Sequence, residues 1–292
     1  MQSLLQVRQT TYMIVFKKAD ELTRYLLQQR AKERSIGFVP TMGALHPGHL
    51  SLIGTAKKEE AITVCSIFVN PTQFNNPDDF KRYPVTVEED IKKLLTVDCD
   101  VLFLPATEEI YPEGYAAKHY DLGELETVLE GHYRPGHFQG VCQVVHRLLE
   151  IVQPAALYLG QKDYQQCMVI ERLIAVLGKQ NNIQLKILPT LRESDGLAMS
   201  SRNLRLNANQ RQTAPALYES LLYAKTHLAN DSLEKIKQAS RSDLAKKGFA
   251  VDYFEIADAH TLLPPSDKNE SLVALVAASL DGIRLIDNLP LN

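Results

Sequence analysis

The 292-residue chain is expected to be an α/β protein, a doubly wound parallel sheet followed by a smaller C-terminal α+β domain. Three observations carry this. Short apolar, β-branched runs alternate with helical stripes up to residue 188; a polar stretch rich in Arg and Ser follows Pro189; beyond it, two helices precede segments of alternating character.

Residues 1–12 are polar and irregular, and are expected to lie outside the core. Ala19 to Arg30 carries Leu22, Tyr25, Leu26 and Leu27 at helical spacing. Ile36 to Val39 reads as an interior strand, Pro40 to Leu45 as a turn containing Gly43, and Leu50, Ile53 and Ala56 as the stripe of a helix that starts near His46. Pro47 suits that first turn, where its missing N–H is no loss. Ala61 to Val69 is almost wholly apolar, as a parallel strand covered on both faces should be. Val87 to Leu95 reads as a helix before a strand at Val101 to Leu104, and Val141, Val144, Val145, Leu148, Leu149 and Val152 mark a long helix. A strand at Ala156 to Leu159, a helix from Asp163 to about Leu177 and a fifth strand at Ile183 to Leu188 complete a Rossmann-like pattern, in which ligands gather beyond the carboxyl ends of the strands. We place the domain boundary at 188/189. Residues 1–188 are the expected catalytic domain, and residues 189–292 a lid with helices at 207–229 and 232–247 and strands at 251–256, 272–278 and 283–286.

Composition narrows the function. With 32 basic and 35 acidic residues the net charge is −3, so no global positive field favours tRNA or DNA, whereas a small anion needs only a local pocket. Cys65, Cys99, Cys142 and Cys167 lack the spacing of a zinc site or disulfide framework; reduced, buried thiols are expected. No apolar run approaches the roughly 20 residues that span a bilayer, and no signal-like segment opens the chain, so a cytoplasmic protein without a membrane partner is expected. P-loop, dinucleotide-binding and nucleophile-elbow motifs are absent from the sequence.

The chemistry-bearing segments follow strands. His46-Pro47-Gly48-His49 puts two histidines one turn apart at a helix start, where unpaired N–H groups and the helix dipole favour an anion, and Gly48 permits close approach to the backbone. Asn70 and Gln73 offer uncharged amides after the second strand. Asn75 to Glu89 reads, by composition, as a solvated loop. Glu130 to Gly140 holds three glycines, two histidines and Arg134, which suits either a rigid connector or an anion contact. Gly160-Gln161-Lys162-Asp163 places a cation at the end of the fourth strand, and Met199-Ser200-Ser201-Arg202-Asn203 supplies two hydroxyls and a guanidinium.

The His-x-Gly-His element resembles the nucleotidyl-transferring superfamily that includes class I aminoacyl-tRNA synthetases, and the longer string from Pro40 to Leu52 looks like the pantothenate synthetases. This resemblance, over about residues 14–290, implies ATP-dependent condensation of (R)-pantoate with β-alanine through a pantoyl adenylate, releasing AMP and pyrophosphate. It implies ATP binding by Met42, Gly43, Ala44, Leu45, His46, Pro47, Gly48 and His49, by Gly160, Gln161, Lys162 and Asp163, by Leu191 through its backbone, and by Met199, Ser200, Ser201 and Arg202. His46, His49, Lys162, Ser200, Ser201 and Arg202 take the catalytic roles; Gln73, Gln166, Asn70 and Arg134 take the pantoate and β-alanine side. The resemblance further implies a mobile flap over Asn75 to Glu89, Mg²⁺ carried mainly by the ATP phosphates without a protein metal site, and a homodimer. Gln161 departs from the glutamate that many members carry there. Two other readings stay open at this point: a nucleotidyltransferase acting on a phosphorylated small molecule, and an RNA-binding module that keeps the fold without the chemistry.

Overall fold

The computed structural model describes residues 12–75 and 77–292; the expected extension over residues 1–12 lies, Tyr12 apart, outside them. In chain order the first part comprises β1 (Ile14–Phe16), α1 (Ala19–Arg30), β2 (Ile36–Thr41), α2 (Pro47–Glu59), β3 (Ile62–Ile67), α3 (Pro77–Lys81), α4 (Val87–Thr96) and β4 (Val101–Phe103). Then come α5 (Thr107–Ile110), α6 (Glu130–Tyr133), α7 (His137–Val152), β5 (Ala156–Gly160), α8 (Tyr164–Val176) and β6 (Gln184–Leu188). The remainder holds α9 (Ala208–Thr213), α10 (Ala216–His227), α11 (Leu233–Lys246), β7 (Ala250–Asp258), β8 (Leu272–Leu280) and β9 (Ile283–Pro290).

The first sheet is parallel with order β1-β4-β3-β2-β5-β6. It has one strand more than expected: β1 is three residues long at the sheet edge, with Ile14 and Val15 exposed, too short and too open to show a period. The order reverses between β2 and β5, so the loops after these two strands diverge and leave a crevice at their carboxyl ends. Both faces are covered. Leu22, Leu26, Leu148, Leu149 and Leu173 of α1, α7 and α8 pack on Phe38, Val64 and Leu157, while Ile53, Ala56 and Leu94 of α2 and α4 pack with Val39, Cys65 and Leu102.

The second sheet is antiparallel, β7-β8-β9. One face buries Phe254, Ala274 and Val276 against Leu217, Leu221, Ile236 and Leu244 of α10 and α11. Its other face, through Tyr253, Val273 and Leu275, meets Leu125, Val128, Tyr164 and Met168 of the first part, which fixes it beside the crevice. The single helix expected over 207–229 is two, α9 and α10, because Pro215 supplies no N–H to continue the ladder and instead opens α10 as its N-cap. Among the described residues no helix is long and apolar enough to cross a membrane, and all four cysteines are free and buried.

Candidate active site

After β2 the chain turns through Gly43 (φ 81°) and Ala44 (φ 48°). Successive N–H groups in such a turn form a concavity that takes an anion. The anion here is the protein's own: fully buried Asp90 of α4 accepts the Ala44 N–H at 2.9 Å and the Leu45 N–H at 2.7 Å, while Thr41 Oγ1 accepts the Gly43 N–H at 3.2 Å. One turn along α4, Lys93 donates to the Leu45 carbonyl at 2.6 Å.

His46 is the N-cap of α2 and Pro47 its first residue. The His46 N–H donates to His49 Nδ1 at 3.4 Å, which leaves the His49 proton on Nε2 as a donor. The two rings lie 3.9 Å apart, and His46 Nδ1 is buried without a partner. Burial, with His49, Lys162 and Lys93 nearby, lowers the His46 pKa to about 2; burial lowers that of His49 to about 4, Asp163 opposing and Lys162 and Lys93 adding. Both rings are therefore neutral donors at neutral pH. A Cβ on Gly48 would lie 2.9 Å from the His46 ring, so the close approach this glycine permits is that of His46.

Gly160 ends β5, and Lys162 Nζ stands 3.6 Å from Asp163 Oδ1. Asn288 of β9 grips this turn, donating through Nδ2 to the carbonyls of Gln161 (3.0 Å) and Lys162 (2.8 Å). Gln161 Nε2 faces back to Asn288 Oδ1 at 3.5 Å. From the other side Ser201 Oγ donates to the Ala44 carbonyl at 3.1 Å, and Ser200 Oγ accepts the Arg202 N–H at 3.2 Å.

These groups meet in a cavity of about 210 Å³ lined by Met42, His46, Gly48, His49, Asn70, Gln73, Gly160, Lys162, Asp163, Gln166, Leu191, Met199, Ser200, Ser201 and Arg202. Gly43, Ala44, Leu45 and Pro47 lie behind the lining, the first three with their N–H groups taken by Thr41 and Asp90, and Gln161 turns to β9. Asn70 is buried and its amide is committed: Nδ2 donates to Gln73 Oε1 and to the Gly140 carbonyl, each at 3.1 Å, and Oδ1 accepts the Tyr111 hydroxyl at 2.8 Å. Its geometry orients Gln73. A Cβ on Gly140 would lie 2.2 Å from the Thr72 carbonyl oxygen, so this close packing requires glycine.

Arg134 lines a neighbouring cavity instead, 3.6 Å from Glu130 and 3.1 Å from His137 Nε2. His137 Nδ1 donates to the Gln73 carbonyl at 2.8 Å, so Arg134 and His137 brace the back of Gln73. Asn75 to Glu89 departs from a plain solvated loop: it contains α3, packs Phe80 and Tyr83 against Phe74 at 5.3 and 5.8 Å between rings, and buries Tyr83 in the wall of the cavity that Ser201 also lines. Sequence reasoning missed Tyr83, Asp90 and Asn288, none of which belongs to a recognisable string.

The profile of the pantoate-beta-alanine ligase family matches residues 14–290. A pantothenate synthetase of Cytophaga hutchinsonii is 42% identical over 284 residues, covering 95% of this chain and 99% of that protein, and one of Aquifex aeolicus is 43% identical over 283 residues, covering 94% and 98%. The crystal structure of pantothenate synthetase from Thermus thermophilus superposes with a TM-score of 0.89 at 42% identity, covering 96% of this chain and 99% of that one. That of pantoate-beta-alanine ligase from Francisella tularensis, complexed with beta-gamma ATP and beta-alanine, gives 0.81 at 38% identity, covering 96% and 98%. On its sequence, its fold and the residues gathered in the crevice, the chain belongs to the pantoate-beta-alanine ligase family.

Proposed function

We propose that this protein condenses (R)-pantoate with β-alanine at the expense of ATP, through a pantoyl adenylate, releasing AMP and pyrophosphate. The observation that carries this is one cavity whose lining holds both hydrogen-bond donors and cations (His46, His49, Lys162, Ser200, Ser201, Arg202) and the amides of Gln73 and Gln166. The first set suits phosphate oxygens; the second suits a small hydroxy acid.

In the first step the pantoate carboxylate attacks the α-phosphate and pyrophosphate departs. The attacking carboxylate is already ionised, so no general base is required, which accords with two histidines whose pKa values lie too low to carry charge. Charge grows on the transferring phosphoryl group, and donors fixed before the reaction stabilise it without reorganising. His49 supplies Nε2–H, and Lys162 and Arg202 supply positive charge. In the second step the β-alanine amine attacks the acyl carbonyl with AMP leaving, and a closed flap keeps water from the adenylate.

Asp163 is the carboxylate among the described residues of the lining, and Lys162 stands beside it. One carboxylate beside a lysine is not a protein cage, so in this reading Mg²⁺ would be held chiefly by the ATP phosphate oxygens and would offset their charge. Residues 1–188 form the catalytic part and 189–292 the lid in this reading, and the assembly is a homodimer. Exchange of labelled pyrophosphate into ATP tests the first step: exchange that depends on pantoate supports it, and exchange that ignores pantoate refutes it.

A further inference from the structure

Asp79 sits on α3, in a segment that lines the cavity beside the crevice, and its carboxylate is divided between two arginines of the facing loop. Arg202 Nη2–H donates to Oδ2 at 2.8 Å and Arg205 Nη1–H donates to Oδ1 at 2.8 Å. The Asp79, Arg202 and Arg205 side chains are 25%, 25% and 21% exposed, so water screens the cluster only partly. Burial works against the charge on Asp79, yet Arg202 and Arg205 hold its carboxyl below the usual range.

One carboxylate between two guanidiniums does two things. It cancels one of two like charges that would otherwise repel, and it fixes the direction of both side chains. Arg202 also lines the cavity that holds His46, His49 and Lys162. A guanidinium carries five N–H donors, and the bond to Asp79 uses one, so Arg202 retains donors for a phosphate while Asp79 stays in place. The same segment also places Tyr83 in the wall of the cavity that Ser200, Ser201 and Arg202 line. Both features set this segment against the loop at 200–205.

We propose that Asp79 is a positioning residue for phosphoryl transfer: by gripping Arg202 and Arg205 together it presents the Arg202 guanidinium, already oriented, to the phosphate chain. This rests on the reading of the cavity as an ATP site. Loss of the carboxylate raises the local positive charge by one but frees Arg202 to sample other directions. Ground-state attraction for a polyphosphate is then kept or increased, while stabilisation realised only in the transition state is lost.

The test compares wild type, Asp79→Asn and Asp79→Glu. For pantoate-dependent pyrophosphate release, Asp79→Asn lowers kcat about tenfold with the KM for ATP unchanged or lower, and Asp79→Glu restores most of kcat. Unchanged kcat, or a raised KM at unchanged kcat, overturns the proposal. Calorimetric binding of inorganic tripolyphosphate reads the cluster apart from the reaction: Asp79→Asn binds it at least as tightly as wild type, and threefold weaker binding overturns the proposal. If wild type binds tripolyphosphate but shows no pantoate-dependent turnover, the reading of the reaction falls and the role of Asp79 in phosphoryl transfer falls with it, whereas turnover in wild type with unchanged kcat in Asp79→Asn overturns the role of Asp79 alone.

Discussion

Replacing His49 by alanine removes one neutral donor from the cavity lining, a group that the proposed reaction sets against the phosphate. Its Nδ1 accepts the His46 N–H, so the donor lost is Nε2–H, and burial strengthens any bond that this group makes to a developing charge. Loss of one fixed donor to a transition-state anion costs about 3 kcal/mol, or roughly 100-fold in rate. The substitution also leaves the His46 N–H without its acceptor, a capping loss of about 1 kcal/mol that acts on stability rather than on the chemical step. His49→Asn separates the two effects, because its side-chain oxygen can stand near the Nδ1 position and keep the cap while nothing replaces Nε2–H. Quenched-flow measurement of pyrophosphate formed in the first turnover is the assay. Both variants are expected to be slowed by roughly 100-fold or more, with His49→Asn the more stable of the two; a first-turnover rate within tenfold of wild type for either refutes the reasoning.

Three other outcomes follow from buried groups. His46, His49 and His137 have pKa values lowered from 6.5 to about 2, 4 and 3, the first cause in each case being burial, so the unfolded chain binds protons that the folded chain refuses. Stability is therefore unaffected by these groups above pH 6.5 and falls as the pH drops below it; urea midpoints that stay level from pH 7 to 5 would contradict this. Glu130, which Arg284 grips through both carboxylate oxygens at 2.7 and 2.8 Å and Tyr253 bonds at 2.9 Å, joins α6 to the second sheet. Burial opposes its charge, yet Arg284 and Arg134 hold its pKa near 2, so its contribution is present above pH 4.5 and is lost as pH falls through 2. Glu130→Gln is expected to cost about 3 kcal/mol at pH 7 in urea denaturation, and a loss below 1 kcal/mol contradicts the pairing. Asp90→Ala strands the buried N–H groups of Ala44 and Leu45 and is expected to cost about 2–4 kcal/mol and lower turnover, whereas wild-type turnover would show that the loop before His46 holds itself.

The fold was legible where burial imposes a pattern. β3 is buried at all six positions and stands out as an apolar run, whereas three-residue β1, half open at the edge, carries no such mark. The Pro215 break between α9 and α10 was readable from the proline but was hidden by apolar residues on either side that keep helical spacing. The cavity was legible through contiguous strings at His46 to His49, Gly160 to Asp163 and Met199 to Arg202, because each is a strand end or loop whose local chemistry is unusual. What escaped was long-range pairing. Asp90 reaches back to Ala44, Asn288 reaches Lys162, and Asp79 reaches Arg202, contacts that only the folded chain brings within 3 Å. Long-range pairing also engages the amides of Asn70 and Gln161, with the Gly140 carbonyl and Asn288.

The central claim, that this cavity activates pantoate with ATP before the amine arrives, is tested most directly by adding substrates in order. Purified protein with ATP and Mg²⁺ is expected to release pyrophosphate only once pantoate is added, and AMP with pantothenate only once β-alanine follows. Pyrophosphate release without pantoate, or its strict dependence on β-alanine, would contradict the account.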